Sequence, residues 1–200
     1  MIERLVASDG GVERAAELLR DGGLVAFPTD TVYGLGCRAE EVGALARLFA
    51  AKRRPPDKAV PWLVSGLAQV EALGYRVDER ARALAARFWP GGLTLVLTGG
   101  PDGSRAFRAP DHPLAQALIA LAGPLATSSA NRSGEPETLD ADEVQVAFAD
   151  AEEVITVLDG GPAPGGQASS VVALDVRRPR LVREGAVPRV ALEAVVGPLD

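Results

Sequence analysis

Both lysines of the chain lie in one heptapeptide, KRRPPDK from Lys52 to Lys58, while the other nineteen basic side chains are arginine. Keeping a compact, strongly hydrated ammonium twice in this one place points to a task that a guanidinium does less well. The seven residues carry four positive charges and one negative on a chain of net charge -6. A positive spot on an acidic molecule suits a small polyanion better than a duplex. Basic side chains are also common in the last turn of a helix, where they meet its carbonyl end. Pro55 and Pro56 favour a loop of fixed course over a frayed helix end. As exposed loop charges, Lys52 and Arg54 are expected to be removable without loss of the fold.

Other segments offer polar groups at strand ends. SSAN, Ser128 to Asn131, follows a short apolar strand and puts hydroxyls and an amide where open α/β sheets hold ligands. Small side chains there let backbone N–H groups approach phosphate oxygens, although the same residues also make plain caps and turns. In PTDTVYGLG, Pro28 to Gly36, the hydroxyls of Thr29, Thr31 and Tyr33 alternate, so an extended backbone would line them along one side. GLGCRA, Gly34 to Ala39, fits the dinucleotide pattern G-x-G-x-x-[GA]. PTDTVY intervenes, however, where that pattern needs its first glycine directly after the strand. No G-x-x-x-x-G-K-[ST] occurs, so nucleotide binding, if present, is not of the P-loop kind.

His112 adjoins Asp111 in RAPDHP, and adjacent loop residues cannot face each other as a base and its orienter must. His112 is therefore read as loop structure. Arg108 ends a predicted strand and offers a rigid fork for a carboxylate, with a surface ion pair as the commoner fate. DGGPAPGGQASS, Asp159 to Ser170, reads as a flexible loop that serves either as a lid or as a connector.

These groups must be held by elements. Two hundred residues with 47% hydrophobic content make one domain, residues 1–200, able to bury roughly 70% of its unfolded surface. Periodicity predicts helices at about 11–21, 41–52, 78–89, 113–122, 141–149 and 189–196, the first capped by Ser8 or Asp9 and stopped by Gly22-Gly23. Strands are predicted at 24–27, 60–64, 93–98, 105–109, 124–127, 154–158, 170–175 and 180–183. The alternation implies an α/β fold, and the close pair at 93–98 and 105–109 implies a hairpin within a mixed sheet. One cysteine and one histidine exclude an internal disulfide and a Cys/His zinc set. The N-terminus lacks an apolar run of signal-peptide length, so a cytoplasmic protein with no membrane partner is expected.

In order and spacing, PTDTVYGLG, K-x-R-P, FWPGGLTLVL (88–97), RAPDHP (108–113), SSANRSG (128–134), GGQASSVVAL (165–174) and LVREGAV (181–187) resemble the YrdC/TsaC family, the L-threonylcarbamoyladenylate synthases. The resemblance covers about residues 10–187 and the short, single-domain form. It implies a twisted mixed β-sheet with flanking helices around a large, positively charged cavity. It also implies a nucleotidyltransferase that joins L-threonine, bicarbonate or CO2, and ATP into threonylcarbamoyl-AMP and pyrophosphate. Separate transferase proteins would then modify the adenosine beside the tRNA anticodon.

By this similarity Lys52 and Arg54 are catalytic. Lys52, Arg54, Lys58, Ser104, Ser129, Asn131 and Arg183 bind ATP, with Arg183 closing over the nucleotide. Thr31, Arg108, Thr127 and Ser169 bind threonine. No dedicated metal site is implied; Mg²⁺ arrives with ATP, held by phosphates and water. The chain departs from some relatives at Lys58-Ala59-Val60-Pro61, with Leu63 where they carry histidine. Two other functions compete: an RNA-binding module of the same fold, since relatives have been discussed as RNA binders, and a domain that forms carbamoyl-adenylate from carbamoyl phosphate. The acidic net charge argues against the first.

Overall fold

A computed structural model describes residues 2–55, 58–101, 103–174 and 177–200. Pro56 and Asp57 of the basic heptapeptide, and the last residue of the strand expected at 170–175, lie outside the described residues. Residues 2–60 run β1 (Ile2–Val6), a π-helical turn (Ala7–Gly11), α1 (Val12–Arg20), β2 (Leu24–Pro28), β3 (Tyr33–Arg38) and α2 (Val42–Lys52). Residues 61–111 give β4 (Trp62–Leu63), α3 (Leu67–Ala72), α4 (Glu79–Phe88), β5 (Leu93–Gly100) and β6 (Gly103–Arg108). Then follow α5 (Pro113–Ala122), β7 (Leu125–Ser129), α6 (Ala141–Ala147) and β8 (Ile155–Asp159). The chain ends with β9 (Ser170–Ala173), β10 (Arg180–Arg183) and α7 (Arg189–Val196).

The chain folds as two compact units, one built from residues 1–60 and 112–165, the other from 61–111 and 166–200. In the first, the strands lie in the order β1-β8-β2-β3-β7. The pairs β1/β8 and β8/β2 are parallel, while β2/β3 and β3/β7 are antiparallel. In the second, the order is β4-β6-β5-β9-β10, with β4/β6 and β5/β9 parallel, and β5/β6 and β9/β10 antiparallel. Both are mixed sheets with flanking helices, the fold class that the alternating pattern implied.

Local chemistry explains the boundaries. α1 turns Val12, Ala15, Ala16 and Leu19 inward at the expected spacing. It ends where Gly22 takes φ 84° and Gly22 and Gly23 donate back to Leu19 and Leu18. Its N-cap is Gly11, without a side-chain bond; Ser8 and Asp9 fall within the π-helical turn, not at the cap as expected. Asp78 and Asp140 cap α4 and α6 by accepting from Ala81 and Glu143. His112 stands at the N-cap of α5, whose first residue is Pro113.

The GLGCRA segment is a strand, not a phosphate loop. Gly34, Gly36 and Cys37 all lie inside β3, and Gly36 pairs with Thr127 of β7. A Cβ on Gly36 would meet the Phe27 ring at 2.9 Å and Thr127 Oγ1 at 3.0 Å, and one on Gly34 would meet Thr127 Cγ2 at 2.8 Å. Both glycines therefore make room for Thr127. Gly36→Ala is expected to cost about 1–3 kcal/mol by overpacking, read as a lower urea midpoint at unchanged slope. A midpoint equal to the parent's would contradict that account. Cys37 is buried and its thiol is pushed up to about 12 by burial, so it is inert as a nucleophile at neutral pH.

Candidate functional site

α2 buries Ala44, Leu48, Ala51 and Lys52 and ends at Lys52. Every helix end leaves four carbonyls without helical donors. At this one, Arg53 turns into the left-handed region with φ 50° and ψ 40°. Its N–H then donates to Ala50 O at 3.0 Å, and the Arg54 N–H donates to Phe49 O at 2.9 Å. The carbonyls of Ala51 and Lys52 are left without helical donors, because the chain has turned out of the helix at Arg53.

The SSANRSG segment supplies what is missing. Arg132 Nη1 donates to Ala51 O, and the Ser133 N–H donates to Lys52 O at 2.9 Å. In return Lys52 Nζ donates to the carbonyls of Ser129 and Asn131. The helix end and the loop thus cap each other, and the K-x-R and S-x-N motifs form one structure.

Lys52 is therefore not the exposed loop charge expected from sequence, since only 1% of it is accessible. Burial pushes its ammonium down to about 8; Arg54 and Arg132 push the same way, and Glu137 opposes them. Below pH 8 native and unfolded chains both carry this charge, and its burial costs stability. Between about 8 and 10.5 the native lysine has released a proton that the unfolded one keeps, so stability rises with pH across that window. In lysine-labelled protein, one of the two ε-carbon NMR signals is expected to titrate near pH 8. Titration of both above pH 10 would contradict the burial.

Arg54 braces its own loop, donating Nε to Lys58 O and Nη2 to Ala59 O, both at 3.0 Å. Lys58 is exposed in that loop. Asn131 Nδ2 donates to the carbonyls of Arg132 at 2.9 Å and Glu135 at 2.7 Å. Its Oδ1 is buried and has no partner among the described residues, an acceptor that a hydroxyl or amine would satisfy. Ser129 ends β7 opposite Gly34, and Thr127 lies two residues earlier in the same strand.

The hydroxyl ladder expected along PTDTVY does not form. Residues 29–32 make the turn between β2 and β3, in which the Thr29 N–H and Oγ1 both donate to Val32 O. Thr31 N–H donates to Thr29 Oγ1, and the two threonine hydroxyls lie 3.1 Å apart. Tyr33 Oη instead donates to Gly161 O at 2.7 Å. That bond, with Ala163 N–H on Leu139 O, ties down the first half of the 159–170 loop.

In the second unit Arg108 is buried at the end of β6 and donates Nε to Gly91 O at 3.0 Å. Its strand partner in β4 is Leu63. Arg183 donates Nε and Nη2 to Ser169 O, at 3.1 and 2.8 Å. Ser169 Oγ lies 2.8 Å from Thr94 Oγ1, so Thr94, Ser169 and Arg183 form one polar row. Ser170 Oγ donates to Val187 O and accepts from the N–H groups of Gly185 and Val187, fixing the turn after Arg183. Ser104 is exposed, near the hairpin end of β6.

Lys52, Ser129 and Asn131 are thus joined directly, with Arg54, Lys58, Thr127 and Thr31 in the same unit, while Arg108, Ser169, Arg183 and Ser104 belong to the other. Sequence reasoning missed Arg132, Thr94 and Ser170. No local signal marks Arg132, whose partners Ala51 and Asp150 lie 81 and 18 residues away.

A family model, Sua5/YciO/YrdC, described as telomere recombination, matches residues 17–185. The chain belongs to the Sua5/YciO/YrdC family. Relatives include the threonylcarbamoyl-AMP synthase of Bacillus subtilis, 39% identical over 98% of this chain and 60% of that protein. The threonylcarbamoyl-AMP synthase of Pyrococcus abyssi is 42% identical over 92% of this chain and 56% of its own length. A crystal structure of P. abyssi Sua5 complexed with L-threonine superposes with TM-score 0.89 at 37% identity, over all of this chain and 62% of that one. The chain spans about 60% of the length of these family members. Among the described residues no helix is long and apolar enough to cross a membrane.

Proposed function

We propose that this chain forms threonylcarbamoyl-AMP from L-threonine, bicarbonate or CO2, and ATP, releasing pyrophosphate. The observation that carries the reading is the mutual capping of the Lys52 helix end and the Ser129–Asn131 loop. It brings a cation and an amide oxygen without a partner among the described residues to one point, groups that a nucleotide's phosphates and hydroxyls take. Support also comes from the relatives, which are named for this activity.

The amine of threonine adds to CO2 and loses a proton, giving a carbamate. A carbamate oxygen then attacks the α-phosphorus, and the bond to the bridging oxygen of the β-phosphate breaks to release pyrophosphate. Neither step needs a covalent intermediate on the protein, so its work is alignment and charge neutralisation. Lys52, Arg54 and Lys58 neutralise the phosphates, and Arg183 closes over the nucleotide, with Ser104 a further contact. Ser129 and Asn131 hold the nucleotide. Arg108 takes the threonine carboxylate through its fork, and Thr31, Thr127 and Ser169 bind the rest of the amino acid. Mg²⁺ arrives on ATP, coordinated by phosphate oxygens and water. A separate transferase passes the threonylcarbamoyl group to tRNA, in the cytoplasm.

Mass analysis of a reaction containing ATP, L-threonine and bicarbonate tests this reading. A product with the mass of threonylcarbamoyl-AMP is expected. Carbamoyl-AMP formed only from added carbamoyl phosphate would contradict it, as would absence of product alongside RNA affinity that falls steeply with salt.

A further inference from the structure

Arg132 belongs to no part of the reaction just described, yet it stands at the centre of the structure that presents Lys52. Its side chain is 7% exposed and reaches the end of α2 and the turn after α6. Nη1 donates to Ala51 O, Nη2 donates to Asp150 Oδ1 at 2.5 Å, and the guanidinium carbon lies 5.1 Å from the centroid of the Phe148 ring. Its own carbonyl takes Asn131 Nδ2. One residue therefore touches both the last turn that carries Lys52 and the amide of Asn131.

Asp150 ties the same end a second time. Its carboxylate accepts Arg53 Nη2 at 2.7 Å as well as Arg132 Nη2, and Arg53 is the residue whose left-handed backbone turns the chain out of α2. The Arg132 hydrogen bond holds the Asp150 carboxyl below its usual range, so the tether stays charged at neutral pH. A simple core ion pair would not aim its remaining nitrogen at a carbonyl that the left-handed turn at Arg53 leaves without a helical donor.

We propose that Arg132, anchored by Asp150, is a positioning residue: by donating to the Ala51 carbonyl that the end of the helix leaves without a donor, it fixes the last turn of α2 and with it the Lys52 ammonium. Its link to catalysis rests on the function proposed above; its link to Lys52 does not. The charged groups facing Lys52 are Arg54, Glu137 and Arg132 itself. Loss of the Arg132 charge would alone move the titration of Lys52, so the variants must separate charge from position.

Three variants do so in lysine-labelled protein. Arg132→Met keeps the apolar stem against Phe148 and removes every donor. Arg132→Lys keeps the charge but not the fork, and Asp150→Asn keeps the arginine but loosens its anchor. In folded Arg132→Met the Lys52 ε-carbon signal is expected to shift and to titrate closer to the ordinary lysine value. Its kcat is expected to fall about 10²-fold, as for a misplaced reacting group, while the KM for ATP changes much less. Asp150→Asn moves the same signal in the same direction by less, and Arg132→Lys recovers only part of kcat.

A Lys52 signal identical to the parent's in Arg132→Met and Asp150→Asn overturns the proposal. So does full activity in Arg132→Lys beside an impaired Arg132→Met, because charge alone would then suffice. If Arg132→Met does not fold, the Asp150→Asn signal and the Arg132→Lys kcat decide. If the parent protein makes no threonylcarbamoyl-AMP, the proposed function fails while the NMR comparison still judges the tie between Arg132 and Lys52.

Discussion

Lys52→Ala is expected to lose turnover and a large share of stability together. If Lys52 neutralises the phosphates as proposed, removing that cation costs about 10²- to 10³-fold in kcat. The stability loss follows from burial. The alanine leaves the space of three methylenes and the ammonium empty and strips donors from the carbonyls of Ser129 and Asn131. Relief from burying a charge offsets part of this, so the net cost is about 3 kcal/mol. In a chain of this size that lowers Tm by about 6–12 °C. Lys52→Met keeps the stem and should recover much of the stability and none of the activity. A variant with parental melting temperature would mean that Lys52 is not buried as described; one with parental turnover would remove it from the chemistry.

Discrimination against valine is the second large effect. The residues proposed for threonine, Thr31, Thr127 and Ser169, carry hydroxyls and are buried. A site that bonds the threonine hydroxyl leaves such groups unpaired when valine enters, which costs roughly 10⁴-fold in kcat/KM. Serine lacks only a methyl, worth about 1–3 kcal/mol, or roughly 10- to 200-fold. Pyrophosphate release measured with each amino acid gives the ratios directly. Valine within tenfold of threonine would show that the hydroxyl is not read.

Much of the fold was legible in the chain because its longer elements follow one rule each. α1, α2, α4, α5 and α7 place small or branched apolar side chains at helical spacing, and most have glycine or proline at an end. β1 escaped notice because its charges, Glu3 and Arg4, are adjacent and break any two-residue alternation, and its pairing with β8 makes it a strand. α3 escaped because six residues with only Val70 buried give no periodicity to read. The turn at Thr29–Val32 was taken for extended backbone because alternating hydroxyls look alike in a ladder and in a turn; the Thr29 hydroxyl closing on Val32 O decides it.

The site was legible in part for a similar reason. Basic residues and an S-x-N turn announce phosphate chemistry, and their order carried the family resemblance. What they could not announce was burial. Lys52 is drawn inside because two carbonyls of a loop 77 and 79 residues away accept its ammonium. Nor could they announce Arg132, whose role depends on a helix carbonyl 81 residues earlier in the chain. Such long-range pairings leave no local pattern.

The most direct test of the account is pyrophosphate release from ATP with threonine and bicarbonate omitted in turn. Release that needs both, and that Lys52→Met abolishes while the protein stays folded, is the predicted result. Release that continues unchanged without threonine would contradict it.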